Sequence, residues 1–466
     1  MVFIFQLLRL FKLYFMKNLW VIAALAGLMG IFNPLAAQSI LETYLSEAYE
    51  NNLALRRENF NIQKNMAALA EARGLYYPNV SFNATYTLAA GGRRIQFPVG
   101  DLLNPVYSTL NQLTNSSAFP TIRNVNEQFL PNNFHETYFR VIQPVFNSDI
   151  YAGYKAKKEQ ISVQEAKRDA YKKELTKEVK TAYLQYLQTL QLLQVYDESG
   201  KLLQELLKFN QKLLSNDKIT NEVIFGNEYE ISNLQSERAI AEKNNAVAKA
   251  YFNFLLNRDL ESAILIDSTV INQVMLLDSL NTLQAQAMNN RDELRQLQSG
   301  LNALEYQLEL NENSKLPKIN FIGNVGYQGF QYKFNNEQAY VLAQLALSWD
   351  LFKGKQNKHK IEQTKIDIDI LQTQYQELES QINLQVKKGY EEMHALEQSL
   401  EAAQSAAKSA ERNFYLTRKK YEQGQARFLE VIETNTKLTN SKFVLLLKKY
   451  DLLIKKAELD RYIGEL

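Results

Sequence analysis

The sequence predicts a mainly helical protein that also contains a few amphipathic strands and is built from one unit used twice. Three observations support this fold class. The stretch Ser148–Leu214 has no proline and repeats apolar residues every three or four positions. Six of the eight prolines lie between Pro78 and Pro144, which leaves most of the chain free to be helical. The order of predicted elements in the first half recurs in the second.

The proline-free stretch predicts a single helix about 100 Å long, because an α-helix rises about 1.5 Å per residue. A second stretch of this kind covers residues 354–421. Helices of this length are stable as parts of a coiled coil, a bundle or a tube. The apolar positions that face such a partner in the first stretch are Leu175, Val179, Ala182, Tyr186, Leu190 and Leu193.

Composition argues against several classes of function. A net charge of +2 predicts no basic face for nucleic acid. The absence of cysteine excludes disulfides and thiolate metal sites, and it predicts that the chain is not lipid-anchored through a cysteine. The three histidines are far apart, and no phosphate-binding or dinucleotide-binding glycine motif is present. We therefore expect no metal, no cofactor and no enzyme activity.

The N-terminus predicts export. A basic start at Met16-Lys17 precedes an apolar run at 19–32 and small residues that end at Ala37. This order is typical of a secretory signal peptide, here residues 1–37, with cleavage after Ala37. A retained membrane anchor is the alternative, and translation could begin at Met1 or at Met16.

The mature chain divides into two structural repeats, residues 38–258 and 280–466, which are joined by a linker at 259–279. Each repeat is predicted to run helix, strand, loop, strand, long helix, turn and helix. The strand-bearing parts, residues 79–146 and 318–352, form the predicted β-barrel part of the protein. The loop at 91–133 is much longer than its counterpart at 329–338.

The predicted strands alternate apolar and polar residues. The apolar residues of the first are Val80, Phe82, Ala84, Tyr86 and Leu88. A strand of about ten residues can cross a bilayer when it is tilted. Strand edges cannot face lipid, so a membrane role requires a closed barrel. Four strands are too few for an aqueous lumen, whereas three chains would supply twelve. A soluble sheet with one face in a core is the alternative.

Three local motifs carry a resemblance to a known family. They are Pro78-Asn79-Val80 after the first helix, the Gln-Pro-Val-Phe sequence at 143–146 and the turn at 420–431. With the export signal and the duplicated order, the chain resembles the TolC-type outer membrane efflux proteins over residues 39–462. The resemblance implies a homotrimer with a twelve-stranded β-barrel, four strands per chain, in the outer membrane. A long α-helical barrel would continue from it into the periplasm.

The resemblance also implies a function and partners. The chain would be the outer membrane exit duct of a tripartite efflux or type I secretion system and would conduct substrates passively. Its partners would be a periplasmic adaptor protein, an inner-membrane pump or ABC-type transporter, and the lipid of the outer membrane. The alternative from the residues alone is an exported coiled-coil structural protein without channel activity.

Candidate functional residues lie mainly at the predicted tip. The resemblance implies that Glu430, Glu433 and Glu222 form a periplasmic constriction, where threefold symmetry would arrange them as carboxylate rings that favour cations. The alternative for each is a carboxylate that stabilises the first turn of a helix.

Two further groups of residues are predicted to act near these ends. Tyr421, Gly424 and Arg427 are predicted tip contacts, and hydrogen bonds of Tyr421 and Arg427 could hold the tip closed. Trp349, Tyr327 and Tyr86 are predicted membrane-interface aromatics, with a soluble core as their alternative position.

Overall fold

The computed structural model of the protein describes residues 40–267, 271 and 277–465. The predicted signal peptide and part of the predicted linker lie outside the described residues. Among the helices that the structure describes, none combines the length and the apolar character needed to span a membrane.

The two halves of the chain have the same order of main elements. The first contains α1 (Ile40–Asn51), α2 (Leu53–Gly74), β1 (Asn79–Thr87), β2 (Arg94–Phe97), α3 (Val99–Thr114), β3 (Val125–Gln128), β4 (Phe134–Phe146), α4 (Ser148–Leu214) and α5 (Asn221–Leu255). The second contains α6 (Leu280–Asn290), α7 (Asp292–Asn313), β5 (Lys318–Phe330), β6 (Ala339–Ser348), α8 (Gln356–Glu422) and α9 (Phe428–Ile463). The predicted fold class, mainly helical with a duplicated helix–strand–strand–long helix unit, is confirmed.

The two long helices are equal in length. Both α4 and α8 have 67 residues, which corresponds to about 100 Å each. The predicted bounds of α4 are those observed. It begins after Asn147, whose side-chain oxygen accepts a hydrogen bond from the backbone N–H of Asp149 at 3.1 Å. This bond satisfies one of the free N–H groups of the first turn.

Each repeat opens with two helices, whereas the sequence predicted one. In the first repeat the break lies at Asn52, whose Oδ1 accepts hydrogen bonds from the N–H groups of Ala54 and Leu55. In the second repeat it lies at Arg291, which has extended backbone (φ −74°, ψ 116°). Neither position is proline or glycine, so periodicity alone could not locate the break. The helices after it, α2 and α7, both have 22 residues.

The main sheet is an antiparallel meander in the order β1-β4-β5-β6. Its register aligns Phe82 with Phe139, Val325 and Val341 across the four strands. These four side chains are 60%, 57%, 57% and 77% exposed. A soluble sheet would bury such a row against a core, and this chain leaves it open. An apolar face of this extent indicates contact with lipid or with another chain.

The opposite face of the sheet is polar. Arg140 donates from Nε to Oδ1 of Asn324 at 3.1 Å, and Gln328 donates from Nε2 to Oε1 of Glu136 at 2.7 Å. Within the described residues, β1 and β6 each pair with one neighbouring strand. One chain therefore has two open sheet edges.

The loop predicted at 91–133 is a folded segment. It holds α3 and a two-stranded antiparallel sheet formed by β2 and β3. Because β1 starts beside α2 and β4 ends beside α4, this segment lies at the end of the main sheet that is farther from the long helices.

Three apolar clusters stabilise the helices. The first joins α1, α4, α5 and α9 around Tyr183, Phe252 and Tyr450. The second joins α6, α8 and α9 around Ile382 and Met393. The third lies at the far ends of α4 and α8 and at the start of α9, and its buried members are Leu203, Leu206, Phe414, Tyr421, Val431, Ile432 and Leu438. We call this third group the tip cluster.

Candidate functional site

Two turns form the tip of the helical part, one in each repeat. In the second repeat Gly424 has φ +71° and ends α8 with hydrogen bonds from Gly424 N to Tyr421 O and from Gln425 N to Lys420 O. In the first repeat Asp217 has φ +56°, and the corresponding bonds run from Asp217 N to Leu214 O and from Lys218 N to Leu213 O. Both turns are therefore Schellman motifs, although only one contains the glycine that this backbone favours.

Glu430 is the third residue of α9 and is exposed. Its Oε1 accepts a hydrogen bond from the backbone N–H of Arg427 at 3.2 Å. A carboxylate in this position satisfies a free N–H group and interacts favourably with the helix dipole. Glu430 thus has a capping role in this structure, and the backbone of Arg427 is its partner.

Glu433 and Glu222 are both exposed near helix starts. Lys437, one turn further along α9, lies 2.7 Å from Glu433 Oε1, and this hydrogen bond and charge lower the pKa of Glu433. Glu222 is the second residue of α5. The starts of α5 and α9 approach each other, since a Cβ on Gly226 would lie 3.2 Å from the Phe428 ring. The structure therefore brings the helix turns that carry Glu222 and Glu430 to the same end of the molecule.

Tyr421 is buried in the tip cluster, and its hydroxyl donates to Oδ1 of Asn210 at 2.7 Å. Burial raises the pKa of Tyr421, so the phenol stays protonated as a donor. This bond links α8 of the second repeat to α4 of the first. Sequence reasoning identified Tyr421 but missed Asn210, and a signal was present: Asn210 lies between Leu206 and Leu213 on an otherwise apolar stripe.

The three aromatic residues predicted for membrane interfaces lie at both ends of the main sheet. Trp349 directly follows β6 at the end near the helices, where its Nε1 donates to Lys315 O at 2.8 Å. Tyr86 and Tyr327 lie near the other end. Tyr327 lies nine positions along β5 from Lys318, which is beside Trp349, and this corresponds to about 30 Å along the strand. For a strand tilted by about 40°, this length spans a height of about 23 Å, which is close to the apolar band of a membrane β-barrel.

The tip combines the Tyr421–Asn210 hydrogen bond, exposed glutamates and the close approach of Gly226 to the Phe428 ring. Such an arrangement can hold helix ends together beside a set of negative charges. In the part of the chain that the structure describes, no group of three or more His, Asp or Glu side chains could hold a metal ion.

The second repeat is similar to a known class of protein. Residues 283–465 match the model of the family described as outer membrane efflux protein. Over the second repeat, this match bears out the resemblance to the TolC-type class of outer membrane efflux proteins that was seen in the sequence. Members of this class are passive channels of the outer membrane that extend into the periplasm, and they are not enzymes.

Solved structures extend the likeness to the whole fold. VceC from Vibrio cholerae is 14% identical, with 91% of this chain and 96% of that chain covered at a TM-score of 0.72. The open state of MtrE from Neisseria gonorrhoeae is 14% identical, with 91% and 88% covered at 0.73. CmeC from Campylobacter jejuni is 12% identical, with 91% and 86% covered at 0.70. No curated protein sequence matches the chain.

Proposed function

We propose that three copies of this chain assemble into an outer membrane exit duct. One observation carries the proposal: an open four-stranded sheet with an exposed apolar face leads directly into helices of 67 residues. The free edges of β1 and β6 can pair only with other chains, and lipid does not tolerate open edges. Three sheets give twelve strands, enough to enclose an aqueous lumen.

In this assembly the apolar row that contains Phe82 and Val341 faces lipid. The polar face with Arg140, Glu136 and Asn324 faces the lumen. Trp349 contacts the periplasmic interface, and Tyr86 and Tyr327 contact the outer one. The height between these residues matches an apolar band crossed by tilted strands.

The helices form the periplasmic tube of the proposed duct. A stripe of exposed apolar side chains runs along α5 and offers a surface for a neighbouring chain. Its members are Phe225, Tyr229, Ile240, Val247, Tyr251 and Phe254. Exposed Ile366, Ile370 and Leu384 on α8 supply a second such surface.

The duct itself is passive, so transport requires partners that supply energy. A periplasmic adaptor protein would bind around the helical tip. An inner-membrane pump or ABC-type transporter would deliver the substrate and determine which substrate is carried. The likeness of the fold to efflux channels supports this arrangement.

Opening would occur by separation of the helix pairs at the tip. The Tyr421–Asn210 bond holds the two pairs of one chain together. Glu430, Glu433 and Glu222 would line the narrowest part, where rings of carboxylates attract cations and repel anions.

The double substitution Glu430→Gln and Glu433→Gln is expected to reduce the cation preference of single channels at least about threefold, because two carboxylate rings become neutral. Reversal potentials in planar bilayers under a KCl gradient measure this preference. Glu401→Gln is the matched control, since this exposed glutamate lies on α8 about 35 Å from Gly424. An unchanged reversal potential in the double variant would remove both residues from the constriction.

Fractionation tests the assembly. The mature protein is expected in outer membranes, to require detergent for extraction, and to migrate as a trimer with ion conductance. A monodisperse soluble monomer would instead support the exported coiled-coil structural protein.

A further inference from the structure

The inserted segment between β1 and β4 contains a cleft of about 720 Å³. It lies between α3 and the residues that follow it, 115–121. The second repeat has only a short turn between β5 and β6 at the equivalent position. The cleft is therefore an addition to the duplicated fold, and none of the tip residues described above contributes to it.

Two asparagines hold the cleft in shape. Asn104 donates to Ile122 O at 2.8 Å and accepts from Ile122 N at 2.8 Å. Asn111, two turns along α3, donates to Phe119 O at 2.8 Å and accepts from Phe119 N at 3.1 Å. Each side-chain amide thus bonds to both the N–H and the C=O of one residue, as a paired strand would. These bonds attach the segment that follows α3 to the helix. The cleft is preformed, which lowers the entropy cost of binding.

The lining of the cleft is polar and uncharged. Among the residues that the structure describes, those lining the cleft include no Asp, Glu, Lys or Arg. Its walls present the amides of Gln112 and Asn115 and the hydroxyls of Ser108 and Ser117. Tyr107 and Phe119 add two rings whose centroids are 5.5 Å apart, inclined at 50°. Amides and hydroxyls both donate and accept hydrogen bonds, and ring faces pack against C–H groups.

We propose that this cleft binds a neutral saccharide. Such a ligand offers many hydroxyls to the amides and apolar ring faces to Tyr107 and Phe119, and it carries no charge that the site leaves unpaired. An ionic ligand would lose hydration without gaining an opposite charge. The inference rests on the proposed function for its location, because the inserted segment lies outside the cell when the helices extend into the periplasm. The saccharide could be free or could be part of a lipopolysaccharide.

A glycan array probed with the detergent-purified protein tests this site. The neutral probes are maltoheptaose, mannohexaose and cellohexaose, and the charged probes are sialyllactose and a heparin hexasaccharide. We expect binding to at least one neutral probe and none to the charged ones. Absence of binding to every neutral probe, or equal binding to the charged probes, overturns the proposal.

The variant Gln112→Ala with Asn115→Gly removes two amides from the cleft. Asn115 has φ +48°, a conformation that glycine adopts without strain, so this change preserves the backbone. The dissociation constant for the bound neutral probe is expected to rise at least about tenfold, the cost of one or two hydrogen bonds. The matched control is Gln96→Ala, since Gln96 is an exposed amide on β2 of the same segment but outside the cleft. If the double variant and the control bind the neutral probe with equal affinity, the cleft is not its binding site.

Competition distinguishes the two sources of saccharide. Displacement of the probe by purified lipopolysaccharide and by its delipidated saccharide identifies a lipopolysaccharide chain as the ligand. Displacement only by free neutral oligosaccharides identifies a soluble sugar. Conductance is recorded on the same preparations and is expected to be equal in the variant and the control. A wild type that binds the glycan but forms no trimer and no channel would refute the duct and leave the saccharide site standing.

Discussion

Replacement of Arg461 by methionine is expected to lower the free energy of unfolding by about 1–3 kcal/mol, less than the cost of breaking a fully buried ion pair, because both carboxylate partners are partly exposed. Arg461, near the end of α9, is buried and donates to Glu174 Oε2 at 3.1 Å and to Glu293 Oε1 at 2.5 Å. It thereby joins α4, α7 and α9. Methionine fills a similar volume but leaves two carboxylates without this cation. Guanidinium denaturation followed by circular dichroism measures the change.

The pH dependence provides an independent check of this network. Burial by itself raises the pKa of Glu293, but hydrogen bonds and charge from Arg291 and Arg461 outweigh it and hold the pKa at about 2. A carboxylate with a lowered pKa contributes stability above its unfolded value of 4.5, and this contribution is lost as the pH falls toward 2. The difference between wild type and variant should therefore shrink from pH 5 to about pH 2.

A matched control distinguishes the destabilisation caused by loss of this network from that caused by loss of any positive charge. Arg412→Met removes an exposed arginine from α8 and is expected to change stability by less than about 0.5 kcal/mol. If Arg461→Met is no more destabilising than Arg412→Met, the ion pairs at Arg461 contribute nothing net.

Replacement of Tyr421 by phenylalanine is expected to raise the open probability of the channel about 5- to 100-fold. The change removes the only hydrogen bond that the described residues give to the buried side chain of Asn210, whose Nδ2 already has no partner among them. An unsatisfied buried amide costs about 1–3 kcal/mol, and this cost falls on the state in which α4 and α8 are in contact. Separation of the helices exposes the amide to water, which removes this free-energy cost. Single-channel recording in planar bilayers measures the open probability.

A double variant shows whether the amide is responsible. Tyr421→Phe with Asn210→Leu removes both polar partners and should return the open probability close to that of the wild type, because an apolar pair leaves nothing unsatisfied. Tyr415→Phe controls for loss of a phenol at an exposed position on the same helix. Equal open probabilities in wild type and Tyr421→Phe would show that this bond does not hold the tip closed.

Periodicity and proline placement were enough to predict the main elements. The bounds of α4 follow from the absence of proline and an uninterrupted apolar spacing, both local properties of the chain. The alternating pattern from Val80 to Leu88 likewise predicted β1. Long helices and amphipathic strands are the elements whose sequence signals are strongest.

Features that depend on distant contacts could not be predicted in this way. The breaks at Asn52 and Arg291 depend on partners such as Leu255 O and Tyr462 O, which lie far away in sequence. The folded segment at 91–133 was predicted only as a loop, because its order comes from asparagine side chains bonded to backbone. At the tip, the sequence analysis singled out Tyr421 and Gly424, whereas it missed Asn210, which interrupts an apolar stripe and whose partner lies on a distant helix.

The two open edges of the sheet determine how this protein can mature. A single chain can complete its helical clusters alone, because these are made within one protomer. It cannot complete its sheet, since β1 and β6 lack outer neighbours and the apolar row has no cover. In the proposed trimer, folding of the strands, association of the subunits and entry into the bilayer would therefore be a single coupled event. Until the strand edges are paired, the chain is exposed to aggregation through them, and the risk increases with the time that β1 and β6 stay unpaired.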